Sequence, residues 1–524
     1  MVTPSGLLPI FPLPRLSPSA TVPRFIPKTT EGRTSMSIVK RRSKIIATLG
    51  PATDKPGALR AVLEAGVDVA RLNLSHGTAE DQLRRATELR ETAALLGREV
   101  GMLADLQGPK IRIRNFAAGR VELLPGASFI LDCRGEAPLG TVERVGVGYQ
   151  GLYRDVKAGD TLLLDDGLLT LKVNAVVDRE IQTTVIDGGI LSDRKGINRL
   201  GGGLSLDALS DKDRKDVTLA AQMGADYLAV SFARSAADMQ NARALLRAAG
   251  SSAALVAKIE RAEAIENLGE IIDASDAVMI ARGDLGVEIG FAELPGLQKR
   301  IVRETLARNR VVITATQMLQ SMVDSPIPTR AEVLDVANAI IDGSDAVMLS
   351  QETASGKYPD RAVAAMRDIC LAAERTFEHG EDRALPFIPR LDRSDQAIAM
   401  AAMTLADKIK ARAIVALTES GATAQWLSRF RSPVPIYAMS RHTDARQRMA
   451  LFRDVYPVAF DPQGSGATHA ARMAVELLYA RGLLNIGDRV VLTTGDHTGL
   501  LGGTNTLKLL KVGSGGSPEG MAGL

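Results

Sequence analysis

Cysteine is nearly missing: Cys133 and Cys370 are the two in 524 residues. Two isolated thiols make neither a disulfide framework nor a cysteine metal cluster, and such scarcity fits a reducing compartment, the cytoplasm. No apolar run approaches the roughly 20 residues of a membrane-spanning helix, so no membrane partner is expected. Charge of one sign is also lacking: 64 basic residues against 61 acidic leave a net +3. No basic stripe carries interleaved aromatics, which argues against a nucleic-acid partner. A Walker A sequence is absent. The match to G-x-G-x-x-G, GVGYQG (146–151), sits in a strand-rich stretch, without the strand-to-helix passage that a dinucleotide fold requires.

What is present is repetition. SDAVM occurs at 275–279 and again at 344–348, each time followed by charged and hydroxyl residues. AGVDVARLNLSHG (65–77) and GADYLAVSFARS (224–235) share the form: small residue, aspartate, apolar run, polar chemistry. KIIATLGP (44–51), VGMLADLQGPK (100–110), ALVAKIER (254–261) and RVVITATQM (310–318) share its last two parts. Continuous apolar runs suit strands covered on both faces. Helix-period segments lie between them, several opened by Ser, Thr or Pro and closed by Gly. Eight strand–helix alternations predict a (β/α)8 TIM barrel over 36–110 and 205–392, with SDAVM at its sixth and eighth strands. Asp276 and Asp345, ahead of those strands, are expected to be structural.

Between 111 and 204 the texture changes to strand and turn, as in VELLPGASFILDC and DTLLLDDGLLTLKVNAVV. This predicts an inserted small β-barrel lid domain on the face where barrels carry active sites. A proline-interrupted linker precedes a C-terminal open α/β domain over 393–512. Residues 1–35, rich in proline and serine, are expected to be a disordered extension, or to lie upstream of a start at Met36. Residues 513–524 are expected to be a disordered tail.

Barrel enzymes carry their chemistry at the carboxyl ends of the strands. Those ends hold Thr48, Arg71, Asn73, Ser75, His76, Asp105, Lys110, Arg112, Lys258, Glu260, Arg282, Asp284, Thr316, Ser350 and Glu352. Arg71, Arg112 and Lys258 suit phosphate or carboxylate oxygens. Glu260 and Asp284 are hard oxygen ligands suited to Mg²⁺ or Mn²⁺. His76 alone gives no zinc site, and no Ser-His-Asp set presents itself. Cations and carboxylates around a hard metal point to phosphoryl transfer or to enolate stabilisation.

The motifs KIIATLGPAT, RLNLSHG, LADLQGPKIR, KIER, MIARGDLGVE, TATQML and RAEVLDVANAIIDGSDAVMLSQETASGKYP together resemble the pyruvate kinase family, in order, from about 37 to 512. The resemblance implies a reaction of phosphoenolpyruvate and ADP giving pyruvate and ATP, with one divalent ion held by Glu260 and Asp284. It implies Lys258 beside the transferring phosphoryl group and Arg71 on phosphate. Backbone N–H groups at Ala281, Arg282 and Gly283, with Asp284 and Thr316, would line the substrate. Thr316 and Ser350 would stand near the enolate carbon, the final proton donor remaining open. Asn73, His76, Arg112 and Asp166 fall on the nucleotide side. A cytoplasmic homotetramer is the family expectation. The chain departs from the family at Gln351 (SQET for SGET) and in KGINRLGGGLS (195–205), where changes in lid seating are expected.

Two further expectations rest on the resemblance. The loop Thr418, Ser420, Gly421 and Thr423 would hold a phosphorylated effector, with TTGDHTGLLGGTNT (493–506) as the pocket's other half. Asn73, Ser75, Asp105 and Leu106 resemble a monovalent-ion pocket. Potassium-dependent members typically read DTKGPEIR where this chain reads DLQGPKIR. The ammonium of Lys110 is expected to offset Asp105 in place of K⁺, making K⁺ unnecessary.

Overall fold

The computed structural model describes residues 41–378, 391, 393–430, 432–462, 466–495 and 503–519. Residues 1–35 and 496–502, on which sequence expectations fell, lie outside the described residues.

Eight parallel strands close into a barrel: β1 (Lys44–Leu49), β2 (Val69–Asn73), β3 (Gly101–Asp105), β4 (Tyr227–Val230), β5 (Ala254–Ile259), β6 (Ala277–Ala281), β7 (Val311–Ala315) and β8 (Ala346–Leu349). Each pairs with the next, and β8 pairs with β1 through Lys44↔Ala346. The two SDAVM segments form β6 and β8. Burial on both faces is why these runs are continuous rather than alternating. Helices Ala79–Leu95, Asp211–Gln222, Ala236–Ala248 and Arg330–Asp342 open with complete capping boxes at Thr78, Ser210, Ser235 and Thr329. Each cap contributes about 1 kcal/mol by satisfying amide N–H groups that have no partner within the helix.

The recurring aspartate has a mechanical role. It stands just ahead of each even-numbered strand and accepts an N–H from the preceding odd-numbered one. Ile45 N donates to Asp68 (2.8 Å), Met102 N to Asp226 (2.7 Å), Leu255 N to Asp276 (2.8 Å) and Val312 N to Asp345 (2.9 Å). Each of these carboxylates also meets an arginine: Arg41, Arg90, Arg243 and Arg429 respectively. The same two-strand unit is thus laid down four times around the barrel's amino end.

The lid's core runs from Ile111 to Leu204 and includes Phe129, Leu131 and Leu171. A six-stranded sheet contains the antiparallel pair Thr161–Leu164 and Leu169–Val177, joined through Asp165, Asp166 and Gly167 at φ 52°, 54° and 88°. The strands flanking the Pro–Gly turn, Arg120–Leu123 and Ser128–Asp132, do not pair with each other. They pair with Gly189–Ser192 and with the strand Glu180–Asp187. GVGYQG does follow a short strand, Arg144–Gly146, and precede a helix, contrary to expectation, but that helix is one turn (Leu152–Asp155).

The C-terminal domain is a six-stranded sheet ordered 455–459, 436–440, 413–417, 489–495, 504–512, 518–519. Residues expected to be tail are folded as far as Glu519, because Pro518–Glu519 pairs antiparallel with Lys511–Val512. Barrel side chains Ile46, Leu103, Val256, Met279 and Ile313 form one core with Met403, Ile414 and Leu427 of this domain. The domain therefore closes the amino end of the barrel and leaves the carboxyl end for chemistry. No helix among the described residues is long and apolar enough to cross a membrane.

Candidate active site

Lys258, on β5, is the centre of the carboxyl-end rim. Its Nζ lies 2.9 Å from Glu260 Oε1 and 3.3 Å from Asp105 Oδ1, and donates to Ser231 Oγ at 2.7 Å. Burial works against its charge, but Asp105 and Glu260 outweigh burial and raise its pKa, so it is a permanent ammonium. Arg71 Nε donates to Asp105 Oδ2 at 2.7 Å, and its Nη1 donates to Thr48 Oγ1 at 3.0 Å. Burial alone would push the Asp105 carboxyl up; Lys258 and Arg71 hold it below its usual value.

Glu260 is 1 % exposed. Its Oε2 accepts the amide N–H of Phe232 at 2.8 Å, which the left-handed turn at Phe232 (φ 57°) aims inward. Burial raises its pKa, Lys258 partly offsets this, and the charge of nearby Asp284 adds to it. Two carboxylates that repel each other in a buried setting are a fitting seat for a hard divalent ion, with water and substrate oxygens completing its shell. No group of three or more His, Cys, Asp or Glu side chains among the described residues is placed to hold a metal ion by itself, so an all-protein cage is not offered. The residues present fit Mg²⁺ or Mn²⁺ bound mainly through Glu260 and Asp284.

Thr316 follows β7 with φ 66°, and Gln317 follows at 54°. A β-branched residue in the left-handed region is strained, and such strain gathers at functional positions. Its hydroxyl is fixed: Oγ1 donates to Ala315 O (2.7 Å) and accepts from Gly283 N (2.9 Å). One of the three expected N–H groups is therefore already engaged. Helix Arg282–Ile289 starts directly after β6. The side chain of Arg282 turns away from the rim to Asp335 (2.6 Å) and the carbonyls of Ala315 and Thr316. Only its backbone can serve the substrate. Ser350 N donates to Glu352 Oε2 (2.7 Å), whose other oxygen accepts Leu319 N (3.1 Å). Glu352, fully buried, thus ties the ends of β7 and β8 together.

Asn73 Oδ1 accepts Ser75 N at 3.1 Å, and His76 is exposed in the turn beyond. Arg112 lies at the lid root, donating to Arg194 O. Leu106 offers the rim no side chain, being buried beneath it; its carbonyl accepts Ser231 Oγ at 2.8 Å. Lys110 departs from expectation. Its Nζ is 2.9 Å from Asp284 Oδ1 and 3.4 Å from Asp166 Oδ1, whereas Asp105 is neutralised by Arg71 and Lys258. The reason is chain direction: after Gly108 (φ 69°) the backbone leaves β3 for the lid and carries Lys110 towards the lid hairpin. Arg199, in the departing KGINRLGGGLS segment, grips Asp160 and Gly202 O within the lid. Gln351 meets Gln320 at the surface.

Sequence reasoning missed Ser231, which holds Lys258 in place. The signal was available, since AVSFARS ends β4 in the same manner as the other runs. It also missed Glu288, 1 % exposed, at the lid root. Glu288 faces Arg261 (3.1 Å), Ala262 N (3.1 Å) and Asn198. Burial, only partly offset by Arg261, pushes its carboxyl up to about 7.

In the C-terminal domain, Gly421 has φ 90° and its N–H donates to Thr418 Oγ1 at 3.0 Å. Ser420 Oγ accepts Ala422 N, and the Thr423 hydroxyl is buried against Thr504. Arg441 (3.3 Å) and His442 (2.6 Å), from the end of the adjacent strand, both reach Glu419 of this loop. Of the expected pocket's second half, 493–506, residues 496–502 lie outside the described residues.

A closed parallel barrel with a lid, and a rim on which cations face paired carboxylates, defines a phosphoryl-handling barrel enzyme. The family model for the pyruvate kinase barrel domain matches residues 40–363, and that for its alpha/beta domain matches 396–510. The chain is 51% identical over 481 residues to pyruvate kinase II of Salmonella typhimurium, covering 91% of this chain and 100% of that one. It is 40% identical to pyruvate kinase of Mycobacterium tuberculosis over 90% of its length and 99% of that protein's. The crystal structure of a pyruvate kinase from Cryptosporidium parvum superposes with TM-score 0.84 at 32% identity, covering 90% of this chain and 96% of that one. The chain belongs to the pyruvate kinase family, whose members require a divalent metal and transfer the phosphoryl group of phosphoenolpyruvate to ADP, giving pyruvate and ATP.

Proposed function

We propose that the rim performs this transfer with Lys258, Thr316, Ser350 and Arg71 as its working side chains. The observation that carries the assignment is Lys258, a fixed ammonium set between Asp105, Glu260 and Ser231 at the mouth of the barrel. A charge so placed stabilises the transferring phosphoryl oxygens and the enolate oxygen that develops as the P–O bond breaks, without reorganisation at the moment of reaction. Arg71 grips phosphate. The backbone at Ala281 and Arg282, where the helix begins, receives the substrate carboxylate, and Gly283 keeps Thr316 in place. Thr316 and Ser350 position the water that delivers a proton to the enolate carbon. Mg²⁺ or Mn²⁺ on Glu260 and Asp284 supplies charge neutralisation for the phosphoryl and enolate oxygens. Asn73, His76 and Arg112 face the nucleotide, and Asp166 approaches it from the lid hairpin.

Activity is independent of K⁺, because Lys110 supplies a tethered positive charge on the same rim. Its partners are Asp284 and Asp166 rather than Asp105. The enzyme works as a cytoplasmic homotetramer, and a phosphorylated metabolite at the Thr418–Thr423 loop regulates it. The fixed loop amides and the neighbouring side chains of Arg441 and His442 support that last reading.

The test is pyruvate formation coupled to lactate dehydrogenase, with phosphoenolpyruvate, ADP and Mg²⁺. Turnover that needs all three, and falls at least about 100-fold in Lys258→Met, is expected. Release of inorganic phosphate without ATP, or no turnover, would overturn the assignment.

A further inference from the structure

We infer that Lys110 is a latch: its ammonium ties the lid hairpin to the metal-binding carboxylate of Asp284 and is exchanged for the divalent cation when the site loads. The inference rests on the metal-site reading above.

Three features put Lys110 in that role. The first is reach. Its Nζ bridges Asp284 of the barrel (2.9 Å) and Asp166 of the lid (3.4 Å), linking groups 118 positions apart in the chain. The second is that both ends are built. Gly108, two residues earlier, packs so closely on Ser231 and Phe232 that a Cβ there would come within 2.7 Å of each side chain. Across from it, a Cβ on Gly196, in the lid's return segment, would stand 3.0 Å from Lys110 Cε. Asp166 sits in a hairpin turn whose left-handed Asp165, Asp166 and Gly167 aim it at the barrel, and Gly167 lies against Val287. The lysine stem therefore runs in a slot walled by lid and barrel together. The third is placement: the Lys110 side chain is 22 % exposed, held between two carboxylates rather than extended into water.

An ammonium and a divalent cation compete for Asp284: like charges repel, and each is drawn to the same carboxylate. In the latch, binding of the cation turns Lys110 off Asp284, which also releases Asp166 from its bridge. The lid is then closed by the loaded site instead of by the latch. Two opposite consequences follow from removing the ammonium: the free protein's lid should loosen, and its affinity for the cation should rise. A lysine with a merely structural role would change the first without strengthening the second.

Both readouts are independent of activity. Mn²⁺ binding to the free, substrate-less protein is titrated by electron paramagnetic resonance for the unmodified chain, Lys110→Gln and Asp166→Asn. Lid position is read in metal-free protein as the distance distribution between nitroxides at Val177→Cys in the lid and Leu95→Cys on the barrel, both exposed. The native thiols, Cys133 and Cys370, are buried and pushed up to about 11, and will not label. Lys110→Gln is expected to bind Mn²⁺ roughly 5- to 10-fold more tightly, the lower range of coupling between linked binding events. Both variants are expected to broaden the lid distance. Unchanged or weaker Mn²⁺ binding in Lys110→Gln overturns the latch, as does a lid distribution that neither variant alters. No Mn²⁺ binding to any of the three proteins would overturn the metal-site reading, and the latch with it.

Discussion

Arg429 holds Asp345 through both carboxylate oxygens, Nη2 to Oδ1 at 2.6 Å and Nη1 to Oδ2 at 2.9 Å. Arg429 follows the C-terminal domain helix Ala422–Ser428, and Asp345 opens β8 while accepting the Val312 amide of β7. One buried pair thus joins the helix after the Thr418–Gly421 loop to the two strands that lead to Thr316 and Ser350. Arg429→Met is expected to destabilise the protein by about 3–5 kcal/mol, because it leaves a buried carboxylate without its cation. Adding Asp345→Asn should recover part of that loss. Urea unfolding midpoints of the three proteins check this, and a double variant no better than the single one would count against it.

Lys258→Met removes the cation from beside two buried carboxylates. Turnover should fall by at least about 100-fold. KM for phosphoenolpyruvate should change less, since the lost interaction strengthens as charge develops in the transition state. A circular dichroism spectrum like that of the unmodified protein would separate this from misfolding. A variant with near-normal kcat would remove Lys258 from its role.

The barrel was legible because both-face burial leaves an unbroken apolar run in the sequence, and the residues after each run mark the rim without further information. SDAVM and its two relatives showed the repeat. That the aspartate accepts an N–H from the strand before it appears only when neighbouring strands are laid side by side. Partner choice among charged residues was the part that could not be read. The family resemblance sets Lys110 beside Asp105, as a stand-in for K⁺. The turn at Gly108 instead sends it to Asp284, 174 residues on, while Arg71 from the adjacent strand β2 and Lys258 from β5, two strands away, claim Asp105. The lid's pairing was hidden for a similar reason. A Pro–Gly turn predicts that strands flank it, not that they pair with each other, and here each finds a partner elsewhere.

Glu288 gives a pH dependence of stability. Its carboxyl is pushed up to about 7 in the folded protein by burial, and Arg261 offsets this only in part. In the unfolded chain it ionises near the ordinary value of about 4.3. Between those values the folded protein keeps a proton that the unfolded chain has lost. The stability from this group is therefore complete below about pH 4 and is lost as the pH rises through about 7. Glu288→Gln, which keeps the shape without the titration, should flatten the fall in melting temperature between about pH 5 and pH 8. Parallel slopes for variant and unmodified protein would show that Glu288 ionises normally.

Lys110→Glu tests the cation requirement. With tetramethylammonium as the only monovalent cation, the unmodified enzyme should be fully active and unmoved by KCl. The variant, which places a third carboxylate near Asp166 and Asp284, should lose activity and regain part of it with K⁺. Strong activation of the unmodified enzyme by KCl would sink K⁺ independence and leave the family assignment untouched.

Gly421 offers the sharpest test of regulation. Its φ of 90° is a conformation that L side chains rarely adopt, and a Cβ there would stand 2.8 Å from Met449. Gly421→Ala should therefore displace the turn that aims the Gly421 and Ala422 amides at Thr418 and Ser420, where a phosphate would be received. The barrel rim is built by other elements, so kcat at saturating phosphoenolpyruvate should be retained. If a phosphorylated metabolite acts here, sugar phosphates or AMP should shift the half-saturating phosphoenolpyruvate concentration of the unmodified enzyme several-fold, and the variant's little or not at all. Arg441→Ala, which removes the guanidinium from Glu419, should weaken the response without abolishing it. A saturation curve that none of these compounds moves in the unmodified enzyme would mean that the loop is an ordinary strand–helix turn, with Gly421 kept for the turn alone.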